Sequence, residues 1–225
     1  MKHPLKKILP PSAKKIPKEL KKFDSKRLDN YFWLKDRDDS EVIEYLEKEN
    51  DYFKKMTSDT EGFQEIIYEE IKNKIKEDDQ SVPYFLNGYW YLTKYQKNKN
   101  YPVYLRRKLD LNSKDQILFD CNLLAEGYEY FNLSNIKISP NNKFAAYSID
   151  TLSRRLYTIR IKNLQTGEVL NDQIINTSGG FAWANDNKTL FYTNRDSDTL
   201  RNDKILRHVI GTKSKDDKIV FHEKK

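Results

Sequence analysis

The sequence contains little cysteine, glycine or proline and no long apolar run. Cys121 is the only cysteine in 225 residues, so no disulfide can form within the chain. No apolar stretch approaches the ~20 residues of a membrane-spanning helix, and no signal-like apolar run follows the charged N-terminus. With seven glycines and seven prolines, the chain has no low-complexity linker. These absences predict a soluble protein of a reducing compartment, the cytoplasm, with no membrane partner.

The positive charge is concentrated at the N-terminus. The net charge is +7, but residues 1–35 carry eleven Lys and Arg against three acidic residues. The remaining 190 residues hold 30 basic and 31 acidic side chains, so the body is close to neutral. A basic arm on a neutral body leaves nucleic-acid binding open as an alternative, although a weak one.

Residues 1–76 read as an extended arm followed by two helices. Four prolines within residues 1–36 exclude a continuous helix there, and the arm ends in an aromatic cluster at residues 31–33. Apolar residues at helical spacing predict helices over about 40–56 and 59–76. Ser58 and Glu61 have the spacing of a capping box for the second helix. The second helix carries one apolar stripe, made of Phe63, Ile67, Ile71 and Ile75.

After residue 79 the apolar pattern changes to a period of two, which predicts twelve short strands. Segment 136–147 resembles segment 181–192 at an offset of 45 residues, and each holds two apolar strands around a polar turn. A repeat of about four strands and 45 residues is typical of a β-propeller blade. About three blades fit in residues 77–225, too few to close a ring of four to eight.

Several separated motifs resemble the oligopeptidase B branch of the prolyl oligopeptidase family of serine peptidases. Residues 10–17 are similar to its opening segment, and residues 29–36 look like the Tyr-x-Trp-Leu-x-Asp signature of the whole family. Residues 42–50, 152–157 and 207–212 continue the resemblance in the same order.

The resemblance implies a mainly β fold with an α-helical N-terminal extension. Residues 1–76 would be the extension that packs on an α/β-hydrolase body, and 77–225 would be the first blades of a seven-bladed propeller. The function implied is that of a non-catalytic N-terminal part, whose propeller controls the access of short peptides cleaved after Lys or Arg. The hydrolase part, in the same or a separate chain, would be the main partner. The acidic residues that select substrate would lie beyond residue 225.

The sequence offers no catalytic residue, metal ligand set or cofactor motif. A Ser–Asp–His triad needs an elbow serine in a Gly-x-Ser-x-Gly turn, and no glycine frames a serine in this way. The nearest segment, Ser178-Gly179-Gly180, is expected to be a turn between strands. The three histidines, His3, His208 and His222, lack ligand spacing. Cys121 is expected to be a small buried side chain and not a nucleophile.

Two charged residues are candidates for an inter-domain role. By resemblance, Glu129 and Arg155 match a Glu and an Arg on the propeller face towards the catalytic body, where they join a salt-bridge network that follows opening and closing. The alternative is that they are unrelated surface charges, and Arg154 leaves the register uncertain by one residue. A free-standing protein-binding module is a further alternative function, since an open blade edge can add strands to a partner.

Overall fold

A computed structural model describes residues 8–223. The chain divides into two compact units, Met1–Ile75 and Lys76–Lys225, each with its own internal contacts. His3, expected to be neither a metal ligand nor a catalytic base, lies outside the described residues.

The first unit holds a β-hairpin and two consecutive helices. The hairpin pairs β1 (Lys18–Lys22) with β2 (Ser25–Asp29) in antiparallel register, and a 3₁₀ turn follows at Phe32–Lys35. Helix α1 (Ser40–Thr57) runs through a 3₁₀ turn at Ser58–Thr60 into helix α2 (Glu61–Asn73). The hairpin was not predicted, because the sequence that follows Pro17 is rich in lysine and has no apolar alternation.

The predicted capping box at the start of α2 is wrong. Asp39 caps α1 as expected of an N-terminal aspartate, since its side chain accepts a hydrogen bond from the Glu41 amide at 2.8 Å. At α2, in contrast, the N-cap is Thr60, and no side chain caps the helix. The Ser58 hydroxyl donates instead to the Lys55 carbonyl at 3.1 Å. Because α1 continues into α2 through a 3₁₀ turn, few amides are left free for a cap at this point.

The second unit is built of antiparallel strands, as the period of two predicted. The first sheet contains β3 (Asp79–Gln80), β4 (Tyr84–Leu86), β5 (Tyr89–Tyr95), β6 (Val103–Lys108) and β7 (Gln116–Asp120). A short helix, α3 (Cys121–Leu124), leads to the second sheet. That sheet contains β8 (Asn132–Ile138), β9 (Phe144–Asp150), β10 (Tyr157–Asn163), β11 (Val169–Trp183), β12 (Thr189–Asn194), β13 (Lys204–Val209) and β14 (Lys218–His222).

These strands form three blades of a β-propeller. Strands β4 to β7 make the first blade, and β8 to β10 with the first half of β11 make the second. The second half of β11 and β12 to β14 make the third. The pairing confirms the 45-residue repeat, because Ile136 lies opposite Tyr147 in the second blade and Phe181 lies opposite Tyr192 in the third. The fold is therefore mainly β with a helical N-terminal part, as predicted.

The expected turn at Ser178-Gly179-Gly180 is wrong. These residues lie inside β11, at an irregularity between Thr177 and Phe181 where the strand passes from one blade to the next. Gly179 has φ of +85°, and a Cβ at this position would lie 2.9 Å from the Tyr157 ring. Glycine is required here both by the positive φ and by this close approach.

Two apolar clusters hold the blades together. Between the first and second blades, the Phe119 and Tyr147 rings lie 4.6 Å apart within a cluster that includes Tyr91 and Leu118. Between the second and third blades, a second cluster is centred on the fully buried Ile159, Ile161, Ile174 and Leu190. The blades therefore have a core of their own.

Candidate functional site: the loop face of the blades

The candidate inter-domain residues lie on the same edge of the blades. In an antiparallel meander, successive connections alternate between the two ends of the strands. Segments 96–102, 121–131, 151–156 and 195–203 therefore share one edge, which we call the loop face. The opposite edge is formed by 87–88, 109–115, 139–143, 164–168, 184–188 and 210–217.

Glu129 lies in the connection between α3 and β8, on the loop face. Its side chain is exposed, and so are its neighbours Tyr128 and Tyr130. At the end of this segment, Nδ2 of the Asn132 side chain donates to the Tyr157 hydroxyl at 3.2 Å, which links the start of β8 to the start of β10. The carboxylate is thus presented on a segment that is anchored at its end.

Arg155 lies in the connection between β9 and β10, and its backbone is held tightly. It adopts a left-handed conformation, with φ of +56°, which is uncommon for a residue other than glycine. Its amide donates to Asp150 Oδ2 at 2.7 Å, and the other oxygen of Asp150 accepts from the Leu152 amide at 2.9 Å. Asp150 is buried while the Arg155 side chain is exposed, so a buried carboxylate fixes the base of an exposed cation.

Arg195 connects this segment to the third blade. Its Nη1 donates to the Arg155 carbonyl at 2.9 Å, and its Nε donates to Asn202 Oδ1 at 3.0 Å. Its own amide donates to the Asn176 carbonyl at 2.7 Å. Sequence reasoning missed Arg195 because nothing in its local pattern distinguishes it from other surface arginines.

The structure places Glu129 and Arg155 on one face but does not pair them. Within residues 8–223 neither side chain takes part in an ion pair. Both charges are free to meet groups outside these residues.

A polar cluster is buried between the second and third blades. His208 is fully buried, with Nε2 at 2.9 Å from Asp172 Oδ1 and Nδ1 at 2.8 Å from Asp217 Oδ1. The Gly211 amide also donates to Asp172 Oδ1 at 2.6 Å. The Tyr192 hydroxyl donates to Asp217 Oδ2 at 2.8 Å, and burial together with this carboxylate raises the pKa of Tyr192 above its ordinary value. The cluster is closed to solvent and joins the two blades.

Within residues 8–223, the other candidate nucleophiles and bases do not form a nucleophile–base pair. Ser178 Oγ is hydrogen-bonded to Thr193 Oγ1 and not to a histidine. His222 lies 3.3 Å from Asp203 at the end of the described chain. Burial raises the pKa of the Cys121 thiol to about 12, so the thiolate is strongly disfavoured.

No cluster of metal-binding side chains is assembled in the part of the chain that the structure describes. Among residues 8–223, no group of three or more His, Cys, Asp or Glu side chains could hold a metal ion. A cleft of about 510 Å³ between the first two blades is mainly apolar, and Lys137 is its single charged lining residue.

None of the helices within residues 8–223 is both long enough and apolar enough to cross a membrane.

A comparison with known protein families shows which family this chain belongs to. The model of the prolyl oligopeptidase N-terminal β-propeller domain matches residues 10–225. The chain belongs to the prolyl oligopeptidase family. Among relatives in that family, dipeptidyl aminopeptidase BI of Pseudoxanthomonas mexicana is 37% identical over 95% of this chain. Protease 2 of Moraxella lacunata is 33% identical, also over 95% of this chain.

Solved structures of prolyl oligopeptidase family members agree with the observed fold. Oligopeptidase B from Leishmania major superposes with a TM-score of 0.87 and 31% identity over 96% of this chain. Oligopeptidase B from Trypanosoma brucei, with covalently bound antipain, gives a TM-score of 0.83 and 28% identity. The chain spans about a third of the length of these family members, 32% or 33% in each case.

Proposed function

We propose that this chain is the non-catalytic N-terminal part of an oligopeptidase B-like serine peptidase. In this proposal it acts with an α/β-hydrolase part, carried in the same or a separate chain, that supplies the Ser–Asp–His triad. The observation that carries the proposal is the likeness to oligopeptidase B across 96% of this chain but only a third of that enzyme.

The apolar face of α2 supports a large partner surface. Its apolar stripe stays exposed, with accessibilities of 64% for Phe63, 40% for Ile67 and 57% for Ile71. Ile75, which the sequence placed in the same stripe, is also exposed but lies beyond the end of the helix. Burying one such side chain stabilises a complex by about 1.5–3 kcal/mol. In the proposal this stripe packs on the hydrolase part.

The loop face is proposed to control access of peptides to the catalytic body. Glu129 and Arg155 would form ion pairs with that body when the enzyme closes. An ion pair at a wet interface is weak, but several of them can shift a two-state hinge. The exposed side chains and the fixed backbone of Arg155 are what such contacts require.

The proposed substrates are short peptides cleaved after Lys or Arg. The 37% identity to a dipeptidyl aminopeptidase favours a second candidate, removal of dipeptides from a free N-terminus. A substrate with a blocked N-terminus separates the two, because only an endopeptidase cleaves it.

Complementation tests the proposed function. This chain is co-expressed with the remaining two thirds of the Moraxella lacunata relative, a part that by itself lacks the first blades and the N-terminal extension. Cleavage of benzyloxycarbonyl-Arg-Arg-aminomethylcoumarin is then measured for each part and for the mixture. We expect activity only in the mixture. A soluble, co-purifying pair that cleaves neither this substrate nor a dipeptidyl substrate would contradict the proposal.

The access role is tested in the same reconstituted enzyme. We expect Glu129→Gln and Arg155→Gln each to change kcat/KM by about two- to fivefold and to weaken its dependence on ionic strength, as for exposed ion pairs. Glu168→Gln and Lys143→Gln are matched controls, because these exposed charges lie on the opposite edge. If the control substitutions on the opposite edge changed kcat/KM as much as those at Glu129 and Arg155, the proposed control of access would be rejected.

A further inference from the structure

The segment that carries Arg155 needs an external constraint to hold one conformation. Two of its residues, Ser153 and Arg155, have positive φ values of +58° and +56°. This region is unfavourable for residues with a Cβ, so it persists only where surrounding contacts enforce it. Residues 152–155 are exposed, so packing does not supply that constraint.

Hydrogen bonds supply the constraint from two sides. Asp150, at the end of β9, holds the Arg155 amide at 2.7 Å from within the second blade. The Arg155 carbonyl is held at 2.9 Å by Arg195, which belongs to the third blade. The amide and the carbonyl of Arg155 are therefore hydrogen-bonded to residues of different blades.

Arg195 is itself fixed in place. Its amide donates to the Asn176 carbonyl at 2.7 Å, and the Asn194 side chain donates to the same carbonyl at 3.0 Å. Its Nε donates to Asn202 at 3.0 Å while Nη1 reaches Arg155. A guanidinium can make both bonds at once because its donors form a rigid planar fork, whereas an ammonium group is a single point.

We infer that Arg195 is a positioning residue for Arg155, which sets the place of the Arg155 charge on the loop face from the neighbouring blade. This inference rests on the proposed function, because it assigns regulation of the same face. Arg195 needs no contact with the hydrolase part, since it acts through the backbone of Arg155. Because these hydrogen bonds hold the backbone of Arg155, we take Arg155 and not Arg154 as the positioned charge.

The first test uses the 225-residue chain alone. Amide hydrogen exchange of residues 151–156 is compared between the unchanged chain, Arg195→Lys and Arg201→Lys. Arg201 lies on the same connection as Arg195 but pairs with Glu223 at 2.8 Å, so it is the matched control. We expect roughly tenfold faster exchange in Arg195→Lys, the effect of losing one hydrogen bond to a charged group, and no change in Arg201→Lys. Unchanged exchange in Arg195→Lys overturns the inference.

The second test uses the reconstituted peptidase. If Arg195 acts through Arg155, Arg195→Lys weakens the ionic-strength dependence of kcat/KM as Arg155→Gln does, and the double variant adds nothing further. A purely structural role would lower yield without changing this dependence. Additive effects in the double variant would overturn the inference.

The two tests separate the inference from the proposed function. Faster exchange with no restored peptidase activity keeps the positioning role of Arg195 and rejects the proposed function. Restored peptidase activity with unchanged amide exchange keeps the proposed function and rejects the positioning role of Arg195. Faster exchange with activity insensitive to both Arg155→Gln and Arg195→Lys keeps the positioning but rejects control of access by Arg155.

Discussion

The two units of the chain differ in how much of their apolar surface they bury. In the described part of the first unit, Val42 is the one buried residue, and both helices carry large exposed apolar side chains. The second unit contains two apolar clusters and, within the described residues, all of the buried polar side chains. Burial of apolar area is the main stabilising term in folding. The blades therefore carry their own stabilisation, whereas the helices present a surface suited to a partner.

The largest expected effect comes from the core between the second and third blades. Ile159 is fully buried there, and Ile159→Ala should lower the free energy of unfolding by about 2–5 kcal/mol through lost burial and a cavity. Urea unfolding followed by tryptophan fluorescence measures the change. Ile159→Val is the control and should cost less, about 0.5–1.5 kcal/mol. A loss below that of the valine variant would mean that this cluster is not the core of the blades.

The buried polar cluster should have the next largest effect. Asp172→Ala leaves His208 Nε2 and the Gly211 amide without their acceptor, and a buried unsatisfied donor costs about 1–3 kcal/mol. Asp172→Asn keeps one acceptor oxygen and should cost less. The same unfolding measurement tests both. Equal stability of Asp172→Ala and the unchanged chain would show that the cluster does not hold the blades together.

A partly buried ion pair in the first blade predicts a pH dependence. Hydrogen bonds from Arg107 at 2.5 Å and Lys94 at 2.6 Å hold the pKa of Asp115 below its ordinary value. A carboxyl whose pKa is lowered on folding stabilises the fold above its unfolded pKa, and this contribution is lost as the pH falls through the folded pKa. Asp115→Asn should therefore cost about 0.5–1 kcal/mol at pH 7, and the difference should shrink towards pH 3.

Glu44 in α1 is the control for this pH dependence. Its pKa is also lowered, by a hydrogen bond from Lys48 at 2.6 Å, but the pair is solvent-exposed. Glu44→Gln should change stability less than Asp115→Asn at pH 7, where both carboxylates are ionised. The reverse order would place the stronger electrostatic contribution in the first unit and contradict the contrast between the units.

The smallest effect is expected for the exposed isoleucine of α2. Ile66 is 65% exposed, so Ile66→Ala should change the free energy of unfolding by less than about 0.5 kcal/mol, in contrast to the same substitution at Ile159. Alanine also has the higher helix propensity, which offsets the lost contacts. The contrast between the units would fail if Ile66→Ala unfolded the chain as strongly as Ile159→Ala.

Much of the fold could be predicted because its patterns are local. Period-two alternation located most strands of the blades. An Asn-Gly pair such as Asn87-Gly88 is typical of a tight turn, and both of these residues have positive φ in the structure. The hairpin at residues 18–29 could not be predicted, because its strands carry charges and not apolar alternation. Nor could the continuity of β11, since Gly179 and Gly180 in sequence resemble a turn. The strand continues through them because Thr177 before them and Phe181 after them are both paired with β12.

The candidate site was predictable only in part. The resemblance to a family singled out Glu129 and Arg155, and their inter-domain role stays a prediction. Asp150 gave a weak local signal, as an aspartate that can accept from amides just after it in a turn. Arg195 gave none, because its contact with Arg155 joins residues 40 positions apart.

The amino-acid sequence by itself determined most strand positions in the blades, the blade repeat and the lack of a Gly-x-Ser-x-Gly segment, because these follow from the periodicity and identity of neighbouring residues. Only the tertiary structure decided which charges share the loop face, that His208 joins two blades, and that Arg195 holds Arg155. Those relations depend on how separate blades pack against one another, and the distance in space between two side chains cannot be read from their spacing along the chain.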